Sequence, residues 1–205
     1  MAEVWAPRLP ARETRWREPP LRRVESLVAE LAAQLGPLMD VPFALFGHSM
    51  GALLAFELAR ELRRAGRPAP VHLFLSAHRA PDRAPKRAAI SKLPDAELVP
   101  RLLEMAGESP TAIRNPEVLL LGAPTLRADL EACEEYRLRP AARLDTRVTC
   151  FAAADDSEVD VPDVAAWLLH TTRPGRLVTY PDGHLFLWDR RRELLDEIAY
   201  DLVRR

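Results

Sequence analysis

Three residues far apart in the chain, Ser49, Asp156 and His184, have the types and order needed for nucleophilic attack on a carbonyl. Ser49 lies in Gly47-His48-Ser49-Met50-Gly51, a Gly-x-Ser-x-Gly pattern. A serine hydroxyl attacks only if a base takes its proton, and the base needs a third group to orient it and stabilise its positive form. His184 can be that base, because Asp182-Gly183 ahead of it makes a tight turn able to aim an imidazole back over a sheet. The other histidines fit less well. His48 lies inside the serine turn and is expected to point away from the hydroxyl, His72 is mid-strand, His78 sits in a loop that resembles no base-bearing turn, and His170 is late in a helix. The acid is Asp156 or its neighbour Asp155. Asp156 is preferred, since the acid falls about four residues past a strand that ends at Ala152. Either aspartate could instead cap the helix that follows.

The elements around Ser49 give the pattern its meaning. Phe43 to Phe46 is an apolar run too short for a helix and bounded by Pro42 and Gly47, which predicts a buried strand. Good helix formers follow Ser49 and stop at Gly66 and Pro68. Ser49 therefore stands at a sharp strand-to-helix turn, with the Met50 N–H at a helix N-terminus, aimed where negative charge develops on an attacked carbonyl. Gly47 and Gly51 are expected to be small because a side chain at either place would collide with the neighbouring strand or helix. The plainer reading makes Ser49 only a helix cap.

The rest of the chain repeats this rhythm. Val4-Trp5-Ala6 predicts the tail of a strand, ahead of a polar loop from Arg8 to Pro20. Leu21 to Met39 carries apolar residues at helical spacing. Val71 to Leu75, Val148 to Ala152 and Arg176 to Tyr180 predict strands, with helices around Val161 to His170 and Arg190 to Val203. Ala52, Ala55 and Ala59 keep one side of the helix after Ser49 thin, suited to close packing on a sheet. Strands alternating with helices predict a parallel α/β sheet covered on both faces. Residues 82–143 exceed what one crossover needs. They predict a helical insertion, with helices over Asp95 to Met105, Pro116 to Leu121 and Ala123 to Tyr136, punctuated by Pro94, Pro110, Pro116 and Pro124. Such an insertion beside an active site is a lid or a static helical subdomain.

Composition bounds the possible partners. At 205 residues and 48% hydrophobic, the chain fits a single domain over residues 1–205. A net charge of −1 argues for neither nucleic acid nor an anionic membrane surface. Of the basic residues only Lys86 and Lys92 are lysine, a bias that looks like codon usage more than a phosphate-binding patch. Cys133 and Cys150 make no disulfide framework and match no metal spacing. With no apolar run of membrane length and no signal pattern, the expected location is the cytoplasm.

On these motifs the chain resembles the stand-alone (type II) thioesterases of polyketide and nonribosomal peptide synthetases, members of the α/β-hydrolase superfamily. The resemblance rests on Leu9-Pro10-Ala11-Arg12 with Arg15 and Glu18-Pro19-Pro20, on Phe46 through Ala52, and on Leu93-Pro94-Asp95. It continues in Leu126-Arg127-Ala128-Asp129, Tyr136-Arg137, Trp167 with Thr171-Thr172, and Pro181 to Leu187, similar to a family Gly-Gly-His-Phe-Phe-Leu run. It implies an α/β-hydrolase fold with a helical lid insertion at about 82–143. It also implies hydrolysis of acyl groups from the phosphopantetheine arm of carrier proteins by Ser49, His184 and Asp156, with Met50 N–H as oxyanion donor. The expected partner is an acyl carrier or peptidyl carrier protein, with no nucleic acid or membrane; the protein is expected to be a monomer with no cofactor or metal. Two departures stand out. Ala152 and Ala153 replace the glycines usual in the acid loop. The N-terminal strands of the family, with a His-Ala-Gly-Gly-like loop that donates the second oxyanion N–H, are expected to be missing, since the sequence starts after them. Losing one such donor costs about 2.7–4 kcal/mol of transition-state stabilisation. The alternatives are a general carboxylesterase or acyltransferase, and a shortened, catalytically weak carrier-binding relative.

Overall fold

The computed structural model describes residues 3–106 and 115–203. Four strands, β1 (Ala44–His48), β2 (His72–Ser76), β3 (Arg147–Ala153) and β4 (Arg176–Tyr180), form one parallel sheet in the order β1-β2-β3-β4. Among the described residues, six α-helices connect and cover them: α1 (Val24–Leu35), α2 (Met50–Arg64), α3 (Asp95–Ala106), α4 (Pro116–Glu135), α5 (Val161–Ala165) and α6 (Arg191–Val203).

Side-chain alternation along the strands divides the core. Leu73, Leu75, Val148, Cys150 and Ala152 face α1, α2 and Trp167, whereas Phe74, Phe151, Ala153 and Tyr180 face Phe186 and Leu194 of the α6 side. Strands buried on both faces are what a parallel sheet requires. Ala52, Ala55 and Ala59 are all buried, so the thin face of α2 does lie against the core. All four strands point the same way, so the loops that leave their carboxyl ends gather along one edge. That edge is where sites form in open α/β sheets.

Several element predictions change in detail. No strand forms at Val4-Trp5-Ala6; Val4 and Trp5 are exposed, and β1 is an edge strand of the sheet among the described residues, with Phe46 half exposed. The predicted Leu21–Met39 helix ends earlier, at Leu35, where Gly36-Pro37 tightens the chain into a 3₁₀ turn. The Val161–His170 helix is likewise α only to Ala165 and 3₁₀ beyond it. The two helices predicted over 116–136 are one, because Pro124 is carried inside α4 rather than ending it. Pro100 sits inside α3 in the same way. Pro110 lies outside the described residues.

Helices α3 and α4 bury Leu98, Leu102 and Leu119 in a small core of their own. Side chains hold α4 on two sides, against the chain ahead of and at the start of α3 and against the N-terminal segment. Arg127 donates to the Leu93 carbonyl at 2.6 Å and to Asp95 at 2.6 Å, and Glu134 accepts the Ile90 N–H at 2.7 Å. On its other side Arg12 pairs with Asp129, and the Thr125 hydroxyl donates to the Ala11 carbonyl at 3.3 Å.

Candidate active site

Ser49 follows β1 with φ 53° and ψ −124°, a conformation rare for a residue with a side chain. Two bonds hold it there: its N–H donates to the Ser76 carbonyl of β2 at 2.8 Å, and its own carbonyl accepts the Ala52 N–H at 2.9 Å. The turn is tight enough that a Cβ at Gly47 would stand 1.9 Å from the Gly51 carbonyl oxygen. Gly47 is therefore obligatory. The matching expectation for Gly51 is not met, since a Cβ there meets no atom within 4 Å. Gly51 borders a cavity, and no packed element stands over it.

The acid and base arrive from the two far strands. After β3 the chain is pinned to the β4 loop, with Ala154 N–H donating to the Tyr180 carbonyl at 2.8 Å and Asp155 N–H to the Asp182 carbonyl at 3.1 Å. Asp155 is left exposed and Asp156 turns inward, only 4% exposed. One oxygen of Asp156 accepts the Glu158 N–H at 2.7 Å and the Val159 N–H at 3.3 Å. The same carboxylate lies 2.9 and 3.1 Å from His184 Nδ1. Neither aspartate is the helix cap considered above, because Asp160 occupies the N-cap position of α5. His184 is buried, and its Nε2 lies 3.0 Å from Ser49 Oγ. Asp156 can only accept, so Nδ1 carries the ring proton and Nε2 is free to accept from the hydroxyl. Hydroxyl, imidazole and carboxylate form one continuous hydrogen-bonded line.

The remaining histidines are placed elsewhere. His72 Nε2 bonds Thr149 Oγ1 at 2.9 Å, His170 Nε2 meets Asp82 at 2.9 Å, and His78 Nδ1–H donates to the Arg79 carbonyl at 2.7 Å. His48 turns from the hydroxyl as expected, toward Ser76 Oγ at 2.9 Å. Its ring also packs 5.4 Å from that of His184 and 5.5 Å from Phe186. Burial, then the neighbouring His184, pulls the His48 pKa down to about 3, so it backs His184 as a neutral ring. Sequence reasoning missed this packing partner; residue spacing carries no sign of it.

Ser49, Met50 and His184 open into a cavity of about 770 Å³ beneath α3 and α4. Leu102, Met105, Leu126 and Leu130 make an apolar wall there, and Cys133 and Arg79 lie beside it. Met50 is the first residue of α2, so its N–H has no acceptor within the helix. The arrangement suits acyl transfer: an activated hydroxyl, a free N–H at a helix N-terminus, and room for an apolar acyl chain. No cluster of three metal-ligating side chains occurs among the described residues.

Comparison with known proteins agrees with this chemistry. The family model of the Thioesterase domain matches residues 1–202. The gramicidin S biosynthesis protein GrsT of Aneurinibacillus migulanus is 34% identical over 200 residues, covering 98% of this chain and 78% of that protein. Among solved structures, RedJ, a thioesterase from the prodiginine pathway of Streptomyces coelicolor, is 39% identical. It superposes with a TM-score of 0.85 over 93% of this chain and 76% of its own. The type II thioesterase BorB from the borrelidin cluster is 36% identical, with a TM-score of 0.87 over 94% and 78%. The chain belongs to the thioesterase family, serine-type thioester hydrolases built on the α/β-hydrolase fold.

Proposed function

We propose that the chain hydrolyses acyl thioesters carried on the phosphopantetheine arm of an acyl carrier or peptidyl carrier protein in polyketide or nonribosomal peptide biosynthesis. The observation that carries this reading is the line from Asp156 through His184 to Ser49, with both bridging distances near 3 Å. Ser49 Oγ attacks the thioester carbonyl as His184 Nε2 takes its proton, and Asp156 stabilises the resulting imidazolium. Met50 N–H donates to the oxyanion. His184 then protonates the departing thiol. Water, deprotonated by the same imidazole, attacks the acyl-serine and releases the acid. No bound cofactor takes part; the pantetheine enters with the substrate.

The carrier partner is supported by the pathways in which GrsT, RedJ and BorB are named. A cytoplasmic monomer suits such a partner, and no helix among the described residues is long and apolar enough to cross a membrane. Residues 82–143 act as the lid over the acyl cavity, within a single domain. The test is hydrolysis of an acyl-loaded carrier protein beside a p-nitrophenyl ester of the same acyl group, with Ser49→Ala as control. Preference for the carrier thioester is expected. A strong preference for the simple ester would replace this reading by a general esterase, and absence of a Ser49 adduct with a fluorophosphonate probe would leave only a silent carrier-binding protein.

A further inference from the structure

Arg79 is a part-buried cation in the cavity lining. It lies three residues beyond Ser76, whose carbonyl holds the Ser49 N–H, so its backbone is within about 11 Å of Ser76. The loop that carries it is fixed at four points. Ala77 N–H donates to the Phe151 carbonyl at 2.9 Å, and Ala80 N–H to the Asp163 carbonyl at 2.9 Å. The His78 carbonyl accepts Trp167 Nε1–H at 2.7 Å, and His78 Nδ1–H bonds the Arg79 carbonyl. The side chain is part-buried, lines the cavity, and has no hydrogen-bond acceptor or ion-pair partner among the described residues. Burial leads in pulling its pKa down, with Arg137 adding to it, while Cys133 and Asp163 act the other way.

Of the other cations along this cavity, Arg83 is exposed to solvent and the rest are engaged. Lys86 pairs with Asp160 at 2.7 Å, Arg87 with Glu104 at 3.1 Å, and Arg101 with Glu104 at 2.6 Å. Arg137 donates to the Glu134 and Tyr136 carbonyls that end α4. A guanidinium taken partly out of water without a partner is costly, and an anionic ligand offsets that cost. Its planar fork suits a carboxylate or a phosphate equally. The two differ in place. In a phosphopantetheine thioester the phosphate is at the far end of the arm, many bonds from the reacting carbon, whereas a carboxylate on the acyl group stays inside the acyl cavity.

We propose that Arg79 is the specificity residue of the acyl cavity and binds a carboxylate carried by the acyl group, so that the enzyme accepts dicarboxylic acyl thioesters. The proposal rests on the thioesterase reading above. It is tested with succinyl and butyryl thioesters of N-acetylcysteamine, which are alike in length and lack the arm's phosphate. Wild type is expected to turn over succinyl at least as well as butyryl. Arg79→Gln is expected to lose on the order of tenfold to a hundredfold in kcat/KM on succinyl, with butyryl changed less than about twofold and Arg79→Lys recovering part of the loss. Equal loss on both acyl groups makes Arg79 merely structural and overturns the proposal. So does a loss seen only when phosphopantetheine replaces pantetheine in the thioester, which assigns Arg79 to the arm. Should Arg79→Gln fail to fold, the wild-type ratio decides, and a clear preference for butyryl overturns it. Turnover of butyryl alone removes only this proposal; turnover of neither thioester removes the hydrolase reading as well.

Discussion

Asp156 does two jobs with one carboxylate: it accepts two backbone N–H groups from its own loop and the Nδ1–H of His184. The backbone bonds fix the carboxylate before substrate arrives, so the imidazole is oriented at no further entropic cost. Asp156→Asn keeps the shape but can present an amide N–H to Nδ1, favouring the wrong tautomer. A fall of about 10⁴ in kcat is expected, with KM changed little. Asp155→Asn serves as the neighbouring control and is expected to stay within about twofold of wild type, because the Asp155 side chain is exposed. Steady-state kinetics on one acyl thioester decides it; comparable losses in both variants would refute the assignment of Asp156. Order in the chain and distance past each strand made these residues legible in the sequence. The neutral His48 ring behind His184 was not legible, because its contact depends on how two loops meet in space.

At the scale of elements, the turn at Ser49 separates two glycines that the sequence motif treats alike. A methyl group at Gly47 would overlap backbone atoms of Gly51 and Ala52, which cannot move without unwinding the start of α2. Gly47→Ala should therefore yield little folded protein. At Gly51 the same methyl group meets open space within a helix, where alanine exceeds glycine by about 0.5–1 kcal/mol. Gly51→Ala should raise Tm by roughly 1–4 °C, whatever it does to substrate binding in the cavity; a lower Tm would contradict the open space described. Helix α4 shows a related limit of sequence reading. The pattern predicts a gap at Gly122 with Pro124 opening a second helix, yet packing by Ala123, Ala128 and Ala132 and the ties of Arg12, Arg127 and Glu134 hold one helix through both. The Arg12–Asp129 pair joins residues 117 positions apart, which no local pattern reveals. Arg12→Ala should cost about 2–4 kcal/mol by leaving the carboxylate poorly solvated, and Asp129→Asn in the same chain should restore part of it in urea titrations.

For the molecule as a whole, the sheet was legible because short apolar runs and turn residues are local, while the cavity under α3 and α4 depends on tertiary placement. That placement has a consequence for acid stability. His48 and His78 are both desolvated as the strand-end loops close over the sheet, and burial, the leading cause for each, pulls their pKa values from 6.5 to about 3 and about 4. Burial also lowers the His72 pKa, in the same direction. In the unfolded chain these rings take up protons as pH falls through 6.5; in the folded chain they do not until far lower. The unfolded state thus binds more protons throughout that window, so stability rises with pH there and is lost as pH falls. Between pH 7.5 and pH 5 the loss should be about 2 kcal/mol for each of His48 and His78. Carboxylates lowered by a partner, such as Glu30 beside Arg15, act with the same sign but only at lower pH, near their ordinary range. Urea unfolding at the two pH values should therefore show a marked loss of midpoint at pH 5, and His78→Gln should shrink that loss by about 2 kcal/mol. A flat profile between the two pH values would mean that these rings remain hydrated in the folded protein, and that the loops around Ser49 close far less tightly than described.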